Sequence, residues 1–204
     1  MIDMNRNKEL FLDLISKNNR PTQKLIEFLN SSDFFEAPAS TKYHSCYPGG
    51  LCEHSLQVGS IMVSLAEAYL PGRYNIDDLY FIGLVHDISK ADFYEVRFQN
   101  KKIYRETGKL HDNQGAYDWE SIKSYGVKEN RFLGGTHSEN SVLILSDLVE
   151  LSHEEKVAIL NHHAGMDEKG VSIDLTAIYN KYPLASLLHI ADMLATYIGE
   201  NDAI

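Results

Sequence analysis

Apolar residues recur at helical spacing along most of the chain. Leu10, Phe11, Leu14 and Ile15 mark one face of a helix over about residues 6–17. Pro21 can take the first position of a second helix that runs to about Asn30. Residues 32–50 hold Ser, Pro and Gly and predict a loop. A long helix is expected from about Leu51 to Leu70, stopped by Pro71-Gly72. Asp77 can open the next one, which carries the run LYFIGLVHDISK.

After Lys90 the pattern changes. FYEVRFQNKKIYRE has two short β-prone runs on either side of Gln99-Asn100-Lys101, which predicts a hairpin there. Residues 118–125 predict a short helix ended by Gly126. Thr136 with Glu139, and Ser152 with Glu155, have capping-box spacing, so helices are expected from there to about Val149 and His163. Pro183 opens a last helix and Gly199 closes it. No internal repeat or low-complexity segment interrupts the pattern. The expected fold class is all-α, a helical bundle in a single domain over residues 1–204, with a small β-hairpin insertion at about 91–134.

Six polar residues fall inside or at the start of these apolar stretches: His54, His86, Asp87, His137, His162 and Asp192. A carboxylate buried alone is very costly and an unpaired imidazole is also unfavourable. A divalent metal removes both penalties, because neutral imidazole and ionised carboxylate both become its ligands. Neighbours on a helix point about 100° apart, so His86 and Asp87 are expected to serve different sides of a centre. In that arrangement Asp87 bridges two ions and His86 holds one side. Taken singly, each histidine also fits an ordinary core or surface role. His44, His111 and His153 are left with that role. His189, three residues before Asp192, fits either core packing or a place behind the ligands or facing substrate.

Composition narrows the class. The chain has 204 residues, 44% of them hydrophobic, with a formal net charge of −10. That charge argues against wrapping long nucleic acid, which needs many cationic phosphate contacts. No apolar run approaches the length of a membrane span, and the polar start MIDMNRNKEL lacks a secretion signal. A cytoplasmic protein is expected, with Cys46 and Cys52 as reduced thiols.

Five ordered segments resemble a known family. GGLCEHS (49–55), GLVHDISK (83–90) and LLHIADMLAT (187–196) are similar to the H…HD…D signature of the HD-domain metal-dependent phosphohydrolases. GGTHSENSV (134–142) and AILNHHAG (158–165) resemble the two further histidine segments of the binuclear branch. The layout is similar to small bacterial and phage HD hydrolases and to the HD portion of certain 3′→5′ exoribonucleases. The first 40 residues leave no room for an N-terminal RNA-binding barrel. AGMDEKG after His162-His163 is not the GYP-type motif of cyclic-di-GMP hydrolases.

The resemblance implies an HD-domain helical bundle. It makes His54, His86, Asp87 and Asp192 metal ligands, and His137 and His162 the ligands of a second metal, with His163 as a possible extra; His189 is a further possible extra by its spacing from Asp192 alone. It casts Lys90 as the lysine facing a substrate phosphate, and Asp87 and Lys90 as the catalytic residues. The cofactor expected is a divalent transition metal, two ions drawn from Mn, Fe, Co, Ni or Zn, which mixed imidazole and carboxylate ligands suit better than Mg. The implied activity is hydrolysis of a nucleotide or other small phosphoester by a metal-bound hydroxide. The insertion, with Tyr94, Arg97, Lys101, Lys102 and Arg105, would be a lid, a specificity wall or a solvated hairpin. Two other readings are a mixed-valent di-iron oxygenase, which the same six-residue set resembles, and a non-catalytic nucleotide-binding module, which a complete ligand set disfavours.

Overall fold

The computed structural model describes residues 3–42, 45–129, 135–163 and 175–199. His44 and residues 164–170 lie outside them. Among the described residues the fold is mostly helical with one small three-stranded antiparallel sheet, which fits the expected helical class with a small β insertion. The helices are α1 (Met4–Lys17), α2 (Gln23–Ser31), α3 (Gly50–Tyr69), α4 (Ile76–Val85), α5 (His137–Leu148), α6 (His153–Leu160), α7 (Thr176–Lys181) and α8 (Pro183–Leu194). A 3-10 turn covers Ile88–Lys90 and a π-helical turn Ala195–Gly199.

Several starts follow their local chemistry. Both capping boxes form: Thr136 and Ser152 each accept from the N–H three residues on, and Glu139 and Glu155 reach back to the cap. Pro183 is the first residue of α8. Pro21 instead precedes the helix, because Thr22 takes the N-cap and α2 starts at Gln23. Among the described residues no helix is long and apolar enough to cross a membrane.

The core joins α1, α3, α4 and α8. Phe11, Phe34 and Phe35 meet edge to face, with centroids 5.1–5.5 Å apart. Helices α3 and α4 touch at two glycines: a Cβ on Gly83 would lie 2.5 Å from the Cα of Gly59. Only glycine allows that approach, and it brings His54 on α3 beside His86 at the end of α4. Arg20 ties the α1–α2 connection to the bundle. Its guanidinium reaches Asp78 at 2.7 Å and Glu155 at 2.9 Å, and lies 4.3 Å over the Phe81 ring.

Two expected helices end early. The helix carrying LYFIGLVHDISK stops at Val85, and the one expected to reach His163 stops at Leu160. The largest departure lies between Tyr94 and Val127. Strand β1 (Tyr94–Tyr104) runs straight through Gln99-Asn100-Lys101, where a turn was expected. The chain turns after Tyr104, forms the short β2 (Leu110–Asp112) and returns as β3 (Gly115–Val127), in the order β1-β3-β2.

Residues 118–125 are therefore strand, not helix. Their side chains alternate: Trp119, Lys123 and Tyr125 share one face, and Asp118, Glu120 and Ile122 the other. That period of two, rich in aromatics, suits pairing with β1 over its whole length. In the register from Tyr94↔Val127 to Tyr104↔Tyr117, every aromatic of the three strands lies on a single face, and Phe98 and Trp119 are exposed there.

Candidate metal centre

The six polar residues converge. His54 comes from the first turns of α3, His86 from the end of α4, Asp87 from the step after it, and His137 from the first position of α5. His162 follows α6, and Asp192 lies on α8. His54, His86, Asp87 and His162 are at most 1% exposed. Ligand-capable atoms of His54, His86 and Asp87 lie within 4.8 Å of one another, as do those of His86, His162 and Asp192, and of His137, His162 and His163.

The early end of α4 explains how the adjacent pair can share one cavity. His86 keeps helical angles, but Asp87 does not (φ −106°, ψ 21°). The side chains thus converge, with His86 Nε2 3.4 Å from Asp87 Oδ2. The two Asp87 oxygens face different partners. Oδ2 meets His86 and the Lys90 ammonium at 2.6 Å. Oδ1 meets His162 Nε2 at 3.4 Å and His137 Nε2 at 3.6 Å. Across the cavity Asp192 Oδ1 lies 3.0 Å from His54 Nε2 and 3.9 Å from His86 Nε2.

Tautomers follow from the backbone contacts. A carbonyl can only accept, so His86 Nδ1–H donates to Gly83 O (2.8 Å) and His162 Nδ1–H to Ile159 O (2.6 Å). In the neutral rings, each Nε2 is then a bare lone pair aimed at carboxylate oxygens. His137 and His162 also set Nε2 against Nε2 at 3.3 Å. Neither Asp87 oxygen nor His86 Nε2 has an aligned hydrogen bond among the described residues, despite these short distances. Lys90 matches Asp87 Oδ2, and the remaining lone pairs of Asp87 Oδ1, Asp192 and the neutral imidazoles face one another in a buried cluster that suits a cation between them. The donor set and its orientation therefore fit divalent metal.

The electrostatics are divided: both carboxylates are held ionised and burial keeps His137 neutral, while Asp87 outweighs burial at His162 and raises its imidazole pKa. Burial alone would raise the Asp87 carboxyl, but the Lys90 ammonium, together with the ring N–H and dipole contacts of the imidazoles around it, outweighs burial and holds Asp87 well below the usual carboxylate range. For Asp192, burial is likewise outweighed, chiefly by His54, and its pKa is depressed. Burial lowers His137. For Lys90, burial acts downwards, and the Asp87 charge overcomes it to raise the ammonium pKa.

The remaining expected residues are less uniform. Lys90, expected against a substrate phosphate, sits on Asp87. Tyr94, at the root of β1, contributes to its field and donates its hydroxyl to Ala39 O. His163 is half exposed, 4.0 Å from Asp192 Oδ2, at the open side of the cavity. His189 is not in the cluster: its Nδ1–H donates to the His162 carbonyl (2.7 Å), and Tyr179 stacks on its ring. His111 lies on β2 and His153 at the start of α6, away from the cluster. Arg97 and Arg105 pair within the sheet with Glu95 and Glu120, and Lys102 with Asp112. Sequence reading passed over Ser89, Ser138 and Ser141, buried beside these ligands. Their one sequence signal is that Ser141 lies four residues after His137 on the same helix face.

No curated protein and no solved structure matches the chain. The family model described as HD domain matches residues 51–197, a span that holds the whole cluster. By that match, the chain belongs to the HD-domain superfamily of metal-dependent phosphohydrolases.

Proposed function

We propose that the protein is a binuclear metal-dependent phosphohydrolase acting on a nucleotide or another small phosphoester. The observation that carries this reading is the buried Asp87 carboxylate, whose Oδ2 faces His86 and the Lys90 ammonium while its Oδ1 faces His137 and His162. His54, His86, Asp87 and Asp192 would hold one ion. Asp87, His137 and His162 would hold the second, with His163 as a further donor. Divalent ions held there supply Lewis acidity, which lowers the pKa of a water molecule towards neutrality and stabilises charge on phosphoryl oxygens.

The chain's own residues set the rest. His86 and His162 are locked by their carbonyl contacts so that Nε2 faces the cavity. Lys90 keeps Asp87 ionised and oriented. Two carboxylates against one ammonium make the protein groups of the centre net negative, and divalent cations would reverse that sign. An anionic phosphoester is then drawn in despite the acidic surface. Substrate would enter past His163 and His137, since the opposite wall of His54 and His86 is closed.

The test is elemental analysis followed by a panel of nucleotides and small phosphoesters assayed with Mn²⁺, Co²⁺ or Ni²⁺. Phosphate release with two ions per chain is the expected result. A fully loaded protein with no turnover on any member, or one that consumes oxygen only when loaded with iron, would overturn the reading.

A further inference from the structure

Two buried serines join the halves of this centre. Ser89 lies in the middle of the 3-10 turn that follows Asp87, and it is 3% exposed. Its hydroxyl donates to the backbone carbonyl of His137 (2.7 Å). Its backbone N–H points to the Ser141 hydroxyl (3.3 Å), and that hydroxyl donates to Ser89 Oγ (2.9 Å). His137 and Ser141 are one turn apart on α5, so one residue grips the helix at both positions.

From these contacts we infer that Ser89 and Ser141 form a clasp that positions His137 for the second metal ion. The inference rests on the two-ion reading. Asp87 reaches the cavity from the segment that carries Ser89, and His137 from the first residue of α5. The distance between their ligand atoms, 3.6 Å, is therefore set by how α5 docks on that turn. The other ligands are held differently. His54 and Asp192 lie within helices, His86 is locked on Gly83, and His162 on Ile159 and His189. Releasing the clasp should loosen the second ion and leave the first in place. Neither serine is a chemical participant: the Ser89 hydroxyl is committed to the His137 carbonyl, and Ser141 is fully buried against Ser89.

The experiment is equilibrium dialysis of the full chain against graded Mn²⁺, with metal per chain read by elemental analysis. Wild type, Ser89→Ala, Ser141→Ala and the exposed control Ser146→Ala would be compared, each checked for folding by circular dichroism. Ser89→Ala is expected to bind the first ion as wild type does and the second about 10–100-fold more weakly, as supporting contacts behind metal ligands do. Ser141→Ala keeps the bond from Ser89 to His137 and is expected to show a smaller shift in the same ion. Should Ser89→Ala fail to fold, Ser141→Ala decides the matter. Unchanged affinity for both ions, or an equal loss of both, would overturn the clasp while leaving the two-ion reading intact. A wild type that saturates at one ion would overturn both.

Discussion

The candidate metal centre and the three-stranded sheet reverse the usual sorting of residues in opposite ways. The centre buries His54, His86, Asp87 and Lys90 where hydrocarbon would be cheaper. The sheet exposes Val96, Phe98, Leu110 and Trp119 where water would favour polar groups. Such reversals are more informative than residues in their expected places. The two also differ in how they are held. Each residue of the centre is fixed by contacts from several helices. The sheet is held mainly by its own ladder, and its ion pairs Arg97–Glu95 and Lys102–Asp112 are surface pairs of small worth. Function concentrated in the centre predicts a steep contrast in sensitivity between the two regions.

The largest effect is expected from Asp87→Asn. It removes the shared ligand and leaves Lys90 buried without its counter-charge. Both ions should be lost, and hydrolysis should fall by at least about 10³-fold. Loss of one partner of a buried pair also costs about 3–5 kcal/mol, read by denaturant unfolding of the metal-free protein. Asp87→Asn with Lys90→Met should recover part of that stability and none of the activity. His137→Ala should come next, abolishing the second ion while one ion per chain remains by elemental analysis.

His189→Phe removes the donor to the His162 carbonyl and keeps a ring against Tyr179. Metal affinity should weaken by about tenfold, the lower end for such supporting contacts, measured by competition with a chelator. The smallest effect is expected on the sheet. Phe98→Ser and Trp119→Ser should leave metal content unchanged and alter stability by no more than about 0.5 kcal/mol. A sheet variant that sheds metal would break the contrast.

Much of the centre was legible because its residues are costly where they stand. A histidine or aspartate inside a run such as FIGLVHDIS announces a buried partner before any fold is known. The capping boxes at Thr136 and Ser152 were legible for a related reason: a local backbone need is met by a residue three positions away. What the sequence hid depends on distant contact. Nothing local shows that the helix stops at Val85, yet that stop lets His86 and Asp87 share one cavity. Residues 118–125 read as helix because their pairing with β1 is set by tertiary register, which outweighs short-range pattern. Ser89 and Ser141 look like ordinary small polar residues until their 52-residue separation closes.

The central claim is that Asp87 links two ions. Its most direct test is an anomalous difference map from crystals of the Mn²⁺-loaded protein. The account predicts two peaks, one on each side of the Asp87 carboxylate, the first among His54, His86 and Asp192 and the second against His137 and His162. A single peak, or a map with no peak touching Asp87, would contradict it.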